Sequence, residues 1–409
     1  MIEDNIIILV SVTLLISYVS SVTYAKTKIP DIILLMIFGV IVGPVLGLFD
    51  KELFLRLAPM MSVLALSIIL FEAGINSDIV EILQTMAKST LLAVFTILSV
   101  MVLVGLALAF FMPGRFNLTQ GMLLGAMIGG TSTVAVFGIL DGIGKYSGEF
   151  SSARIILTME SIVSDPICII ASITLIRMIM QPGISLIDSV KNIFSTFILS
   201  SIIGLAIGLF WAQVLDKIRT RKLIYMITLS VLLPTYLLAE KIVGGGGGAM
   251  SALTFGLAIS NYKYIADKVG LKNKITIDSQ KLRDFHEEVT FFIKSFFFVY
   301  IGVVVSLSLY NMLTGILLVG YIMLIRYLVA SIVGGALSFT RTELTLTRFI
   351  FAAGLPSFVM AQLPLIFDPT GRFFPDTAIY ANLCMPIVFG TVVFSAFFGS
   401  YMIKRNIHI

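Results

Sequence analysis

The chain has 409 residues, of which 58% are hydrophobic and 12% charged, and its mean hydropathy is +1.04. A soluble domain carries about one quarter charged residues, so this composition excludes a soluble protein and indicates a polytopic membrane protein. Two cysteines, Cys168 and Cys384, both within apolar runs, exclude a disulfide framework, and the net charge of +5 gains meaning only when charges are assigned to loops.

A membrane crossing needs roughly 20 largely apolar residues. In chain order thirteen stretches qualify: 4–24, 30–49, 57–76, 89–112, 118–140, 153–180, 192–215, 223–240, 243–260, 289–308, 312–337, 346–367 and 378–403. Glu3 and Asp4 precede the first, with no basic flank and no small-residue cleavage site, so it reads as a span and not a signal peptide. With the N-terminus outside, 19 Lys and Arg fall on inside loops and 7 on outside loops, while Lys294 and Arg326 lie within spans. The inside set includes Lys28, Lys145, Arg219, Arg221, Lys222, Lys272 and Lys274. That bias places the N-terminus outside and the C-terminus in the cytoplasm of a multi-pass cell-membrane protein. The polar stretch 261–288 reads as a cytoplasmic linker, where His286 among acids is the one hint of pH or lipid sensing. No soluble domain is expected after the last span, because the chain ends four residues past Arg405.

Two spans look broken. Gly129-Gly130-Thr131-Ser132-Thr133 interrupts the fifth, and Gly354-Leu355-Pro356-Ser357 interrupts the twelfth, with Gly130, Gly354 and Pro356 as the breaking residues. Interrupted spans at matching places in two halves point to the site of a transporter built from inverted repeats. Helices 1–6 and 8–13 would be the repeats, with the seventh as linker. A glycine run, Gly244 to Gly248, opens the ninth span; close helix packing or a flexible lead-in explains it better than a phosphate-binding loop, whose Lys-Ser/Thr ending is missing.

Charged groups inside spans mark functional sites by default. Glu72, Glu160, Asp165 and Arg326 qualify, whereas Lys294 can snorkel to the surface. In Glu160-Ser161-Ile162-Val163-Ser164-Asp165-Pro166 the two acids are five residues apart, so they point about 140° away from each other on a helix. A consistent arrangement pairs Glu160 with Arg326 as a structural ion pair and leaves Asp165 facing a cavity, beside the bend that Pro166 imposes. Asp165, the Ser161 hydroxyl on its face, a Thr131 carbonyl and Glu72 then form an oxygen shell, with the Ser132 and Ser164 hydroxyls as further candidates. Such a shell suits a small alkali cation; a transition metal is disfavoured, since neither histidine lies in a span. A carboxylate holding either a cation or a proton, but not both, couples the two fluxes. With Glu160 neutralised, one titrating acid implies electroneutral one-for-one exchange.

At these motifs the chain resembles the monovalent cation–proton antiporters, especially the NhaP-type sodium/proton antiporters. The anchors are Leu70-Phe71-Glu72-Ala73-Gly74, the Thr131 break, the 160–166 segment, Phe296-Phe297-Phe298-Val299-Tyr300-Ile301-Gly302, Arg326 and the Gly354 break. The resemblance implies that Asp165 binds ion and proton, that Ser161, Thr131 and Glu72 assist, and that Glu160 pairs with Arg326. It also implies a homodimer working by alternating access, with a moving core near 57–180 and 289–403 and a scaffold near 1–50 and 192–260. Three motifs depart from the family pattern. Ser132 stands where the family's Thr-Asp-Pro has its acid, Ser164 where an Asn precedes the aspartate, and Ser357 ends a motif without the family's arginine.

The expected protein is therefore an all-α, thirteen-span antiporter moving Na⁺ (or Li⁺ or K⁺) against H⁺. No cofactor, enzymatic activity or nucleic-acid partner is expected, and its surroundings are membrane lipid. A K⁺/H⁺ antiporter is the alternative. A cation channel lacks a filter motif here, and an intramembrane aspartyl protease lacks its second intraspan Asp.

Overall fold

The computed structural model describes residues 2–27, 31–49, 51–143, 149–181, 183, 186–218, 223–269, 279–305 and 308–407. Residues 270–278 of the expected linker lie outside the described residues, as do Lys28, Lys145, Arg219, Arg221, Lys222, Lys272 and Lys274 of the charge count. The described residues form helices and no strands. A bilayer interior offers backbone groups no water, so a spanning chain must satisfy them within itself.

In chain order, α1 (Ile2–Thr27) is followed by α2 (Asp31–Val40), which continues into a π-helical turn, Ile41–Val45, around Pro44. Next come α3 (Lys51–Ile75), α4 (Ile79–Phe111), α5 (Leu118–Ile128), α6 (Thr133–Ile143) and α7 (Glu149–Met180). The middle of the chain is α8 (Leu186–Lys217), α9 (Ile224–Val243), α10 (Gly247–Ser260), α11 (Tyr262–Val269) and α12 (Ser279–Val304). The last part is α13 (Leu309–Ala336), α14 (Arg341–Phe349), α15 (Leu355–Ala361), α16 (Leu363–Phe367), α17 (Ala378–Val393), a π-helical stretch Phe394–Gly399 and α18 (Ser400–Ile407).

Among the described residues, six helices are long and apolar enough to cross a membrane: Thr85–Phe111, Phe150–Met180, Lys191–Lys217, Tyr225–Val243, Leu309–Ala336 and Ala378–Met402. Shorter apolar helices occupy Ile8–Thr23, Ile33–Val45, Met60–Ile75, Leu118–Ile128, Gly247–Ser260 and Leu355–Phe367. The stretch expected as a tenth span is the second half of α12, whose first ten residues, Ser279 to Glu288, are largely polar. Burial separates interior from peripheral helices. The apolar window of Phe150–Met180 is 72% buried against protein, whereas that of Lys191–Lys217 is 22% buried and presents Phe194, Ile198 and Ile202 outward.

Two compact units divide the chain. The first comprises Met1–Ser62, Ala87–Cys168 and Lys294–Ile409. Within it α2 and α12 touch backbone to backbone: a Cβ on Gly39 would stand 2.3 Å from the Val299 carbonyl oxygen. Small residues permit that approach, which replaces the hydrophobic effect as the packing force in lipid. At one end of this unit the Glu343 carboxylate collects Lys88 Nζ at 2.9 Å, the Ser152 hydroxyl at 2.6 Å and the Thr340 amide at 3.0 Å. The first element, α1, turns the Thr13, Ser17 and Ser20 hydroxyls into the protein, and Ser17 hydrogen-bonds Ser295 of α12.

The second unit comprises Val63–Met86 and Ile169–Ile293. Here the end of α3 lies on α10 so closely that a Cβ on Gly74 would be 2.1 Å from the Leu253 carbonyl oxygen. Asn261 closes the contact, accepting from the Ile79 amide at 3.0 Å and donating to the Ser77 carbonyl at 2.8 Å. The glycine run forms the turn into α10. Gly244 and Gly246 have φ of +106° and +89°, a region that disfavours side chains, and the Glu240 carboxylate accepts the Gly246 and Gly248 amides. His286 is fully buried among Phe71, at 4.7 Å between ring centroids, and Phe285, at 5.2 Å. Neither ring nitrogen has a partner among the described residues.

That burial disfavours the charged imidazole and pushes its pKa from 6.5 down to about 4. The unfolded chain therefore takes up the proton first, so stability is complete above about pH 6.5 and falls as pH drops toward about 4. Thermal melts of detergent-purified protein across this window are expected to show the loss, on the order of 3 kcal/mol, and the His286→Phe variant to lack that part of the slope.

Candidate functional site

All of the site described next lies in the first unit. Between α5 and α6, residues 129–132 are unwound. The Gly129-Gly130 pair gives up helix propensity, and hydroxyl residues follow that can cap a new helix. The Val136 amide bonds the Ser132 carbonyl at 2.9 Å, the first turn of α6. The Thr131 amide is accepted by the Ser164 hydroxyl at 3.2 Å, and the Ser132 amide by the Ala352 carbonyl at 2.8 Å. Ala352 belongs to the second unwound stretch, 350–354, between α14 and α15. Pro356 sits in the first turn of α15, where its missing N–H costs no helical bond. The two breaks meet in a close crossing. A Cβ added to Gly354 would stand 2.2 Å from Ser132 Cβ and 2.4 Å from its Oγ.

Helix α7 passes this crossing carrying both acids, and Pro166 lies within it without ending it. Glu160 is 1% exposed and Arg326 fully buried. The guanidinium grips both carboxylate oxygens, with Nη2 2.8 Å from Oε2 and Nη1 bonding Oε1. Nη1 also donates to Thr96 Oγ1 at 3.1 Å, and Nε to the Thr347 carbonyl at 2.6 Å, near the end of α14. Cation and negative helix end attract each other there. Arg326 thus ties α7, α4 and the approach to the second break.

Asp165 is different. It is 7% exposed and makes no hydrogen bond or ion pair with any described residue. Its carboxylate lies over the first break: a Cβ on Gly130 would meet Cys168 Sγ at 3.1 Å, Ser164 Oγ at 3.3 Å and Asp165 Oδ1 at 3.6 Å. Close by in sequence, Thr131 Oγ1 is buried with no partner among the described residues. Ser161 donates to the Thr158 carbonyl at 2.9 Å, so in its 2.8 Å contact with Thr133 Oγ1 the threonine is the donor. The structure therefore gathers Gly130, Thr131, Ser132, Ser161, Ser164, Asp165, Pro166 and Gly354 around one crossing, with Glu160 and Arg326 beside it. Glu72 is half-buried near the end of α3 and belongs to the second unit. Among the described residues no group of three or more His, Cys, Asp or Glu could hold a metal ion, and the donors at Asp165 are oxygens apart from Cys168.

A family profile described as "Sodium/hydrogen exchanger, transmembrane" matches residues 10–406. The chain belongs to the sodium/hydrogen exchanger family. It is accordingly an integral membrane protein of a transporter family. Among its relatives is the K(+)/H(+) antiporter NhaP2 of Shewanella sp. (strain ANA-3), 28% identical over 262 residues, which are 62% of this chain and 43% of that protein. Another is the probable Na(+)/H(+) antiporter 2 of Methanocaldococcus jannaschii, 25% identical over 287 residues, which are 69% of this chain and 65% of the relative. The match thus spans less than half of the Shewanella protein. The solved structure of the sodium proton antiporter MjNhaP1 from Methanocaldococcus jannaschii at pH 8 has the same fold, with a TM-score of 0.78, 16% identity and full coverage of both chains.

Sequence reasoning did not single out Thr96, Cys168, Thr391 or Ser395 of this exchanger-family chain, all of which touch the site or its supports. Two outcomes follow from the geometry. Gly354→Ala is expected to abolish folded protein, and the added Ser132→Gly change, which removes the opposing Cβ, to restore part of the yield in size-exclusion profiles. Arg326→Ala leaves Glu160 buried and unpaired and is expected to cost ~3–5 kcal/mol, read as a large loss of yield and melting temperature; normal values would show that the pair is dispensable.

Proposed function

We propose that this protein is a secondary active antiporter that exchanges a monovalent cation for H⁺ by alternating access. Asp165 holds either the cation or the proton, never both, and so couples the two movements. The observation that carries the reading is its solitude: a nearly buried carboxylate with no partner among the described residues, near Glu160, whose charge is matched by Arg326. An unpaired carboxylate in that setting costs several kcal/mol unless an ion, a proton or water accompanies it. Ser161, Ser164, Ser132 and Thr131 supply further oxygens, and the half-helix ends at both breaks add dipoles. One unpaired acid supports one-for-one, electroneutral exchange.

Na⁺ is the first candidate cation, with Li⁺ close behind. K⁺ is the second reading, supported by the name of the Shewanella relative. The arrangement proposed is a homodimer in the cell membrane, thirteen spans with inverted repeats, N-terminus outside and C-terminus in the cytoplasm. Its ion-carrying core spans about 57–180 and 289–403, and its scaffold about 1–50 and 192–260.

The test uses proteoliposomes with a trapped pH dye, challenged in turn with Li⁺, Na⁺, K⁺ and Rb⁺. Wild-type protein is expected to move protons when one of these is added, and Asp165→Asn to remain silent at unchanged yield. Cation-driven proton movement by the amide variant would refute the proposal, and a wild-type rate that depends on voltage at fixed gradients would refute the electroneutral stoichiometry.

A further inference from the structure

The second break needs partners for its backbone, and these come from side chains of the last apolar helix. Thr391 and Ser395 lie one turn apart there, both fully buried. Hydroxyls in membrane helices usually bond a carbonyl of their own helix. Thr391 does so, donating to Val388 at 3.0 Å, but it also accepts the Ala353 amide at 3.2 Å. Ser395 has turned outward altogether. It accepts the Phe351 amide at 3.1 Å and donates to the Phe351 carbonyl at 2.8 Å. One hydroxyl thus serves the N–H and C=O of a single residue, as a neighbouring strand would. The helix widens at this point into the π-helical stretch Phe394–Gly399, a departure often found at functional sites.

The consequence is directional. In an extended segment, the backbone groups of successive residues face opposite sides. With Ala353 held toward α17 and Phe351 toward the π-helical stretch that continues it, the Ala352 carbonyl is turned the other way, where it accepts the Ser132 amide at 2.8 Å. That bond fixes the Thr131-Ser132 turn beside Asp165. We propose that Thr391 and Ser395 are positioning residues of the ion site: they hold the second break so that its Ala352 carbonyl sets the first break against the Asp165 carboxylate. The inference rests on the antiport reading given above and extends it to residues that do not touch the cation.

The experiment measures cation-driven proton movement in the same dye-loaded proteoliposomes, over a concentration series of Na⁺, or of K⁺ should wild type respond to K⁺ alone. Thr391→Val and Ser395→Ala are each expected to raise the KM for the cation about three- to tenfold, the size of effect one neutral hydrogen bond exerts. The maximal rate per folded molecule stays close to wild type, and Thr391→Ser, which keeps the hydroxyl, restores the KM. A merely structural role would lower yield and leave KM alone, since KM does not depend on how much protein is folded. Unchanged KM in both variants, or an equal rise in Thr391→Ser, overturns the proposal. Should either variant fail to fold, Thr391→Cys and Ser395→Cys keep a weaker hydrogen-bonding atom in place; an intermediate KM supports the proposal and a wild-type KM overturns it. Asp165→Asn runs alongside. If it still exchanges, the antiport reading itself has failed; if it is silent while the Thr391 and Ser395 variants keep the wild-type KM, only the positioning role has.

Discussion

Unwound backbone inside an apolar bundle has to find hydrogen-bond partners without water, and much of this protein is arranged around that demand. Each orphaned peptide group costs as much as a lost hydrogen bond or more. The two breaks answer one another through Ser132 and Ala352, and side chains outside the breaks supply further partners through Ser164, Thr391 and Ser395. The crossing is then too tight for a side chain at Gly354. A segment of this kind is stiff, although it lacks regular structure.

Charge is distributed by the same logic. Arg326 gives donors to Glu160, Thr96 and the end of α14, so its positive charge and the helix end are both compensated in place. Asp165 has no such partner among the described residues. A site with one unmatched charge, set among hydroxyls whose bonds are largely committed, is suited to a small cation carrying one charge. Ser132 and Ser357 add none, being buried serines at the two breaks.

Much of this was legible in the sequence, for physical reasons. Apolar runs of about 20 residues announce helices whatever their neighbours. Gly129-Gly130 and Gly354-Leu355-Pro356 announce breaks because no helix favours them. Arg326 and Glu160 could be matched because intraspan charges are few and each needs an opposite. The supports were not legible. Hydroxyl residues are scattered through the apolar stretches, and nothing local distinguishes Thr391 or Ser395, which reach across to another segment, from Thr235, which bonds its own helix at Val231. Periodicity could not find them either, since the π-helical stretch shifts the faces of the last helix. Along α12, ten largely polar residues share one continuous helix with the apolar run that follows, so hydropathy placed a boundary where the backbone has none.

The Glu160–Arg326 grip also has a history in time. Its partners are 166 positions apart, and the acid is translated first. At about 5–20 residues per second the ribosome needs roughly 10–30 s to make the arginine. For that interval the nascent α7 has its carboxylate but not its counter-ion. Release into lipid during that interval carries the cost of an unpaired intramembrane charge. The grip of Arg326 on Glu160 removes that cost once the arginine has been made.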